Sequence, residues 1–151
     1  MTEPYTGGCA CGAIRYECNA MPMFTWICHC RECQRSTGGG GAVNAVFAAS
    51  GVLFTRGQPK FHDSTGSSGQ KTHRGFCPEC GSPIAAKADL FPQILGISAA
   101  SLDDPERLRL VANIWTSSAQ PWDYFAPTLA RFETTPSESE LSELAKLIQQ
   151  A

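Results

Sequence analysis

The chain has 151 residues, 42% apolar and only 17% charged, with 12 basic and 14 acidic side chains for a formal charge of −2. That length suits one domain with a core of its own, and that apolar content excludes a disordered chain. The slight acidic excess (pI about 5.9) speaks against binding to a nucleic-acid backbone, and no apolar run approaches the ~20 residues of a membrane helix. Residues 1–11 have neither the basic n-region nor the apolar h-region of a secretory signal, so the cytoplasm is the expected compartment. Short strand patterns follow. Ile14, Tyr16 and Cys18 alternate with Arg15 and Glu17 at the two-residue period of a half-buried strand, and Phe24, Trp26 and Cys28 continue in that style. Val43–Ala48 and Val52–Thr55 are β-branched or aromatic runs punctuated by Gly51 and Gly57. Ser64–Gln70 is small, polar and glycine-rich, which predicts a mobile loop or hairpin tip. Ile94–Ser98 reads as a short buried strand. The alternation of Leu108, Leu110, Ala112 and Ile114 with Arg107, Arg109, Val111 and Asn113 predicts another. Thr134–Gln150 predicts a terminal helix docked on the domain formed by residues 1–133. Ser137 and Glu140 have capping-box spacing there, and Leu141, Leu144, Leu147 and Ile148 form an apolar stripe.

Eight cysteines stand out, and seven of them fall within three residues of another: Cys9 and Cys11; Cys28, Cys30 and Cys33; Cys77 and Cys80. Structural disulfides are rare in a reducing cytosol, and core packing gives no reason for such grouping, whereas a metal ion requires convergent ligands. Cys77-Pro78-Glu79-Cys80-Gly81 has the form of a zinc knuckle, in which a tight turn aims two thiolates at one ion and a glycine relieves the backbone after it. A closed zinc site takes four ligands. Counting favours Cys9 and Cys11 as the partners of Cys77 and Cys80. That choice leaves Cys28, Cys30 and Cys33 as three ligands with one open position, the usual stoichiometry of a catalytic zinc. Closing the site with two of the middle three instead is compatible with spacing alone. Cys18 shares a strand face with Ile14 and Tyr16 and reads as a small core hydrophobe.

The segments Gly7-Gly8-Cys9-Ala10-Cys11-Gly12-Ala13-Ile14-Arg15-Tyr16, Cys28-His29-Cys30-Arg31-Glu32-Cys33-Gln34-Arg35 and Gly75-Phe76-Cys77-Pro78-Glu79-Cys80-Gly81-Ser82 together resemble the glutathione-dependent formaldehyde-activating enzyme family. The family is also called S-(hydroxymethyl)glutathione synthase, or the CENP-V/GFA-type domain. The resemblance covers roughly residues 5–133, with Leu102-Asp103-Asp104-Pro105 and Ile114-Trp115…Pro121-Trp122 as weaker points. It implies a mainly β, Mss4-like (β-tent) zinc-binding domain of antiparallel sheets with a short C-terminal helix. It also implies two Zn2+ ions per chain, one structural on Cys9, Cys11, Cys77 and Cys80. The other, at full or partial occupancy, is on Cys28, Cys30 and Cys33, the catalytic ligands of an open site. The implied partners are a small thiol such as glutathione and an aldehyde such as formaldehyde, and the implied activity is that of a carbon–sulfur lyase.

Three thiolates around one divalent ion leave a net negative charge, so the ion is a weak polariser of carbonyls but a good holder of a further thiolate. Thiol chemistry therefore suits this site better than hydrolysis. Arg31 and Arg35, four residues apart, either share a helical face that holds a carboxylate or are two solvated side chains. Ser36-Thr37-Gly38-Gly39 offers either backbone N–H groups to an anion or a plain flexible turn. His29 between Cys28 and Cys30 is expected to point away from the sulfurs, as alternate residues of a strand do. His62 and His73 read as surface or internally satisfied histidines. The competing readings are a zinc-stabilised Mss4-like binding module without catalysis and a redox sensor built on Cys28, Cys30 and Cys33.

Overall fold

The computed structural model describes residues 3–66 and 68–150. Among these residues, eleven short strands form two sheets. β1 (Tyr5–Gly8), β2 (Arg15–Cys18) and β5 (Val52–Arg56) make a three-stranded antiparallel sheet in the order β1-β2-β5. The larger sheet contains β3 (Phe24–Cys28), β4 (Ala42–Ala48), β6 (Lys60–Thr65), β7 (Lys71–Phe76), β8 (Pro83–Ala88), β9 (Ile94–Ser98), β10 (Ala112–Ile114) and β11 (Ala130–Arg131). Its order is β11-β10-β3-β4-β9-β8-β7-β6. Antiparallel pairing runs through it from β3 to β6, and β10 pairs in parallel with both β3 and β11. The chain is therefore mainly β, as expected, with a mixed edge.

Two apolar cores hold the sheets. In the first, Tyr5, Tyr16 and Cys18 of the small sheet face Ala45, Phe47, Ile84, Leu95 and Ile97 of the large one. Cys18 is fully buried there, and burial pushes its thiol up to about 12. It is a core residue and lies outside both groups of clustered cysteines. In the second core, Val111, Ala112 and Ile114 pack with Leu144 and Ile148 of helix α2 (Glu138–Gln149) and with Cys28, Cys30 and Cys33. Helix α1 (Arg31–Thr37) follows β3 directly and carries Cys33.

Several strands match the alternating or apolar runs closely: β2, β3, β4, β5 and β9. The terminal helix is shorter than expected, beginning at Glu138 because Ser137 caps it through the expected box with Glu140. The strand expected over Arg107–Ile114 exists only at Ala112–Ile114. Leu108 packs against the first core whereas Val111, Ala112 and Ile114 belong to the second, so the chain crosses between cores and cannot lie flat in one sheet. A single 3-10 turn, Pro105–Arg107, precedes the crossing. The glycine-rich stretch expected as a loop or hairpin tip does join two strands. However, Ser64 and Thr65 are inside β6, and Ser67 lies outside the described residues.

Candidate metal centres

The first cluster is assembled by two turns from opposite sides of the first core. Cys9 leaves β1 and its backbone N–H donates to the Ile14 carbonyl at 3.2 Å, closing the turn that also carries Cys11. The Ile14 N–H in return donates to Cys9 Sγ at 3.2 Å. Cys77 leaves β7, donates its N–H to the Ser82 carbonyl at 3.0 Å and accepts from Gly81 N–H at 2.8 Å. Gly81 has φ 77°, a left-handed conformation that glycine adopts without a Cβ penalty. Ser82 joins the turns. Its Oγ accepts from Ala10 N–H at 3.1 Å and lies 3.1 Å from Cys80 Sγ. Hydrogen bonds from the Ser82 side chain and backbone hold the Cys80 thiol down at about 5.

The ligand atoms of Cys9, Cys11, Cys77 and Cys80 all lie within 4.8 Å of one another. The Cys9–Cys11 sulfurs are 3.5 Å apart and the Cys11–Cys77 sulfurs 3.8 Å. Tetrahedral zinc with Zn–S bonds of about 2.3 Å requires sulfurs about 3.8 Å apart, whereas a disulfide requires about 2.05 Å. The spacing therefore fits an ion and not a bridge, and all eight cysteines are free. Cys9 and Cys77 are buried and Cys11 and Cys80 exposed, so the cluster sits at the edge of the core.

The second cluster lies at the end of β3. Cys28 is its last residue, paired with Ala42 on β4 and Ile114 on β10. Cys30 is the N-cap of α1, and its sulfur accepts the Cys33 N–H at 3.4 Å. The three sulfurs converge within 4.8 Å, and all three residues are buried. Bonds from the Cys28 and Cys30 thiols, with Arg74 adding its charge, hold the Cys33 thiol down at about 3. The same mutual bonding pushes Cys28 upward. Three buried sulfurs competing for too few protons form a donor set that a divalent cation satisfies.

His29 is not part of this set. Its Nε2 lies 2.9 Å from Asn113 Oδ1, its Nδ1 lies 3.5 Å from Asp123 Oδ2, and its ring meets Phe125 edge-on at 5.0 Å. Gln34 ties the loop down, donating from Nε2 to the His29 carbonyl at 2.6 Å and to the Ser118 carbonyl at 2.9 Å. Asp123 packs where a Cβ on Gly40 would stand, 2.0 Å from Asp123 Oδ1, which explains a glycine in that run. Of the two arginines on α1, Arg31 bonds Gln34 Oε1 and Arg35 is exposed.

The cation that does approach the sulfurs is Arg74, with Nη1 3.8 Å from Cys33 Sγ. Sequence spacing gave no signal for Arg74, Asn113 or Asp123, because β7, β10 and a later loop bring them in from 41 to 90 residues away, and none for the role of Gln34, whose partners include the distant Ser118 carbonyl. Arg74 also lines a cleft of about 250 Å³ with Ser36, Thr37, Asn44, His62 and Ser98. Phe76 and Gly81, flanking the first cluster, line the same cleft. Neither this cleft nor a second one of about 340 Å³ beside Arg15 and Arg56 has a cysteine in its lining, and Arg15 there is paired with Asp103.

Residues 4–118 match the profile of the glutathione-dependent formaldehyde-activating enzyme family. The chain belongs to that family. A protein of Halomonas elongata, provisionally named a glutathione-dependent formaldehyde-activating enzyme, is 26% identical over 117 residues, covering 70% of this chain and 73% of its own. The crystal structure of a Rhodobacter sphaeroides protein superposes with a TM-score of 0.53 at 20% identity, over 84% of this chain and 98% of that one. At that identity the likeness concerns the fold. Within the family assignment, the two cysteine groups are sites that could hold metal ions. No helix among the described residues is long and apolar enough to cross a membrane.

Proposed function

We propose that the protein holds two Zn2+ ions, a structural one on Cys9, Cys11, Cys77 and Cys80 and a catalytic one on Cys28, Cys30 and Cys33, and that it interconverts a thiol, an aldehyde and their adduct as a carbon–sulfur lyase. The family's name gives glutathione and formaldehyde, and the adduct these two would form is S-(hydroxymethyl)glutathione. The observation that carries the reading is the three-sulfur cluster, which shares Arg74 with a neighbouring cleft.

Zinc bound there would supply a positive centre that keeps an incoming thiol deprotonated at neutral pH. The protein's own groups account for the rest. In the forward direction a sulfur–carbon bond forms, the carbonyl π bond opens, and the thiol's proton ends on the oxygen. Arg74 offsets the excess negative charge of the sulfurs and offers N–H donors to the developing oxyanion. His62, opposite Arg74 in the β6–β7 register, lines the cleft as a group that can carry the proton. Gln34 and Asn113 fix the Cys28–Cys33 loop from behind, so that the sulfurs are held in place before substrate arrives. Adduct formation is intrinsically easy, so positioning is the main demand on the enzyme. The free thiols are consistent with a reducing cytoplasm as the working compartment.

Exchange spectroscopy on a mixture of glutathione and formaldehyde tests this. Zinc-loaded protein should accelerate exchange between free and adduct glutathione signals above the uncatalysed rate. An unchanged rate with both metals bound would instead favour a binding module with two static ions. Trp122 and Tyr124, 77% and 83% exposed, would suit that second reading.

A further inference from the structure

His29 is the joint of the second cluster. β3 ends at Cys28 and Cys30 caps α1, so His29 alone connects the strand to the helix. The backbone has two soft dihedrals per residue, and those of His29 set where Cys28 Sγ stands relative to the sulfurs of Cys30 and Cys33. The joint is gripped at its backbone and at its side chain. Its N–H donates to the Ile114 carbonyl at 3.0 Å, and its carbonyl accepts from Gln34. Its imidazole is enclosed by Asn113, Asp123 and Phe125.

Three features mark this enclosure as more than ordinary packing. Asn113 is 1% exposed, and among the described residues its Nδ2 has no hydrogen-bond partner. A valine there would leave no buried N–H orphaned, so what the asparagine adds is the bond to His29. The Asp123 side chain is only 11% exposed although Trp122 and Tyr124 on either side of it are exposed. Its carboxylate fills the gap between the imidazole and Gly40, and Oδ2 accepts the Gln120 N–H at 3.1 Å. Gln120 in turn donates from Nε2 to Gln34 Oε1 at 3.2 Å, which ties the segment to α1. Lastly, Trp115 has φ 57°, a left-handed conformation that a bulky side chain rarely adopts. This strained turn directly after β10 sends the chain back toward the Cys28–Cys33 loop, where the Ser118 carbonyl accepts from Gln34.

Resting on the reading that Cys28, Cys30 and Cys33 hold a metal ion, we infer that Asp123 is a positioning residue for that ion, acting through His29. By wedging the imidazole it fixes the joint, and so sets the separation of the sulfurs before an ion arrives. Ligands ordered in advance bind more tightly than ligands that must be ordered on binding. The first cluster has no such device. Between Cys9 and Cys11 stands the exposed Ala10, and that turn is closed by its own backbone, with Gly12 N–H donating to the Cys9 carbonyl at 3.1 Å. Loss of Asp123 therefore weakens the second ion alone.

Chelator competition on the zinc-loaded full chain, read as zinc retained per chain, tests the inference. Cys30→Ser identifies which release step belongs to the second cluster. Asp123→Ala should release that ion about ten- to a hundredfold more readily, the usual range for an outer partner of a metal ligand, and leave the other ion's affinity unchanged. Asp123→Asn keeps the wedge and the acceptor for Gln120, and should restore most of the affinity. His29→Ala should weaken the same ion. The double variant Asp123→Ala/His29→Ala should be no weaker than His29→Ala, because a residue that acts through another adds nothing once that other is gone. Should Asp123→Ala fail to fold, the comparison of Asp123→Asn with the unaltered chain and with His29→Ala decides. Unchanged retention of the second ion in Asp123→Ala, or additive losses in the double variant, would overturn the inference and leave the metal reading standing. A single ion on the unaltered protein, held by the first cluster, would overturn both.

Discussion

Cys30 and Cys77 are both buried thiols in metal-fitting clusters, yet their substitution should have different consequences. Cys77 is completely buried in the main core, and its turn is one of the two that close the first cluster. Cys30 caps a seven-residue helix whose loop is also held by Gln34, with bonds to two backbone carbonyls. Cys30→Ser should therefore retain a cooperative fold and bind one metal equivalent instead of two, as read by elemental analysis and near-UV circular dichroism. Serine caps helices well, so the helix start is preserved while the soft ligand is lost. Cys77→Ser should lose the fold along with the metal. If Cys30→Ser is the variant that unfolds, the structural and catalytic roles of the two clusters are reversed.

Among the elements, the β6–β7 hairpin carries a pH response of its own. Asp63 and Asp89 bond both ring nitrogens of His73 and raise its pKa, while desolvation opposes them. His73 in turn lowers that of Asp63. Lys87 is the register partner of His73 on β8, and His62 and Lys71 also act on Asp63. A histidine with a raised folded pKa contributes stability that is full below its unfolded value of about 6.5 and is lost as pH rises through the folded value. Amide exchange in Lys60–Thr65 and Lys71–Phe76 should accordingly quicken on going from pH 6 to pH 8 beyond its intrinsic base dependence. In His73→Gln that excess should vanish. A persisting excess would assign the pH effect to another group. Helix α2 makes a different kind of contribution. Its capping box fixes where it starts, and Leu144 and Ile148 attach it to the core that holds the second cluster.

At the scale of the whole molecule, the first cluster joins parts of the chain with 65 residues between Cys11 and Cys77. A metal that closes so long a loop contributes folding free energy directly. Chelation should lower Tm by at least about 10 °C. A loss of about 4 kcal/mol suffices for that in a domain of this size, and structural zinc binds zinc-finger peptides more strongly still. Acid should act in the same direction, because thiolates must be protonated before the metal leaves. Scanning calorimetry with and without chelator at neutral pH checks the effect. An unchanged Tm, with metal demonstrably removed, would make both clusters dispensable to the fold.

The cysteine spacing by itself marked three local ligand groups, because ligands a few residues apart converge whatever the surrounding fold, and the tertiary structure decided that Cys9 and Cys11 meet Cys77 and Cys80. Alternating apolar residues likewise marked β2 and β3, and a short apolar run marked β9. β6 and β7 were not legible as strands, since Lys60–Thr65 and Lys71–Phe76 are largely polar and mostly only part-buried or exposed. The break in the expected 107–114 strand was equally hidden, because alternation does not say which of two cores each side chain will meet. Only the tertiary structure decided that Arg74, and neither Arg31 nor Arg35, reaches the sulfurs. Strand pairing across distant segments sets that proximity, and local sequence contains no record of it.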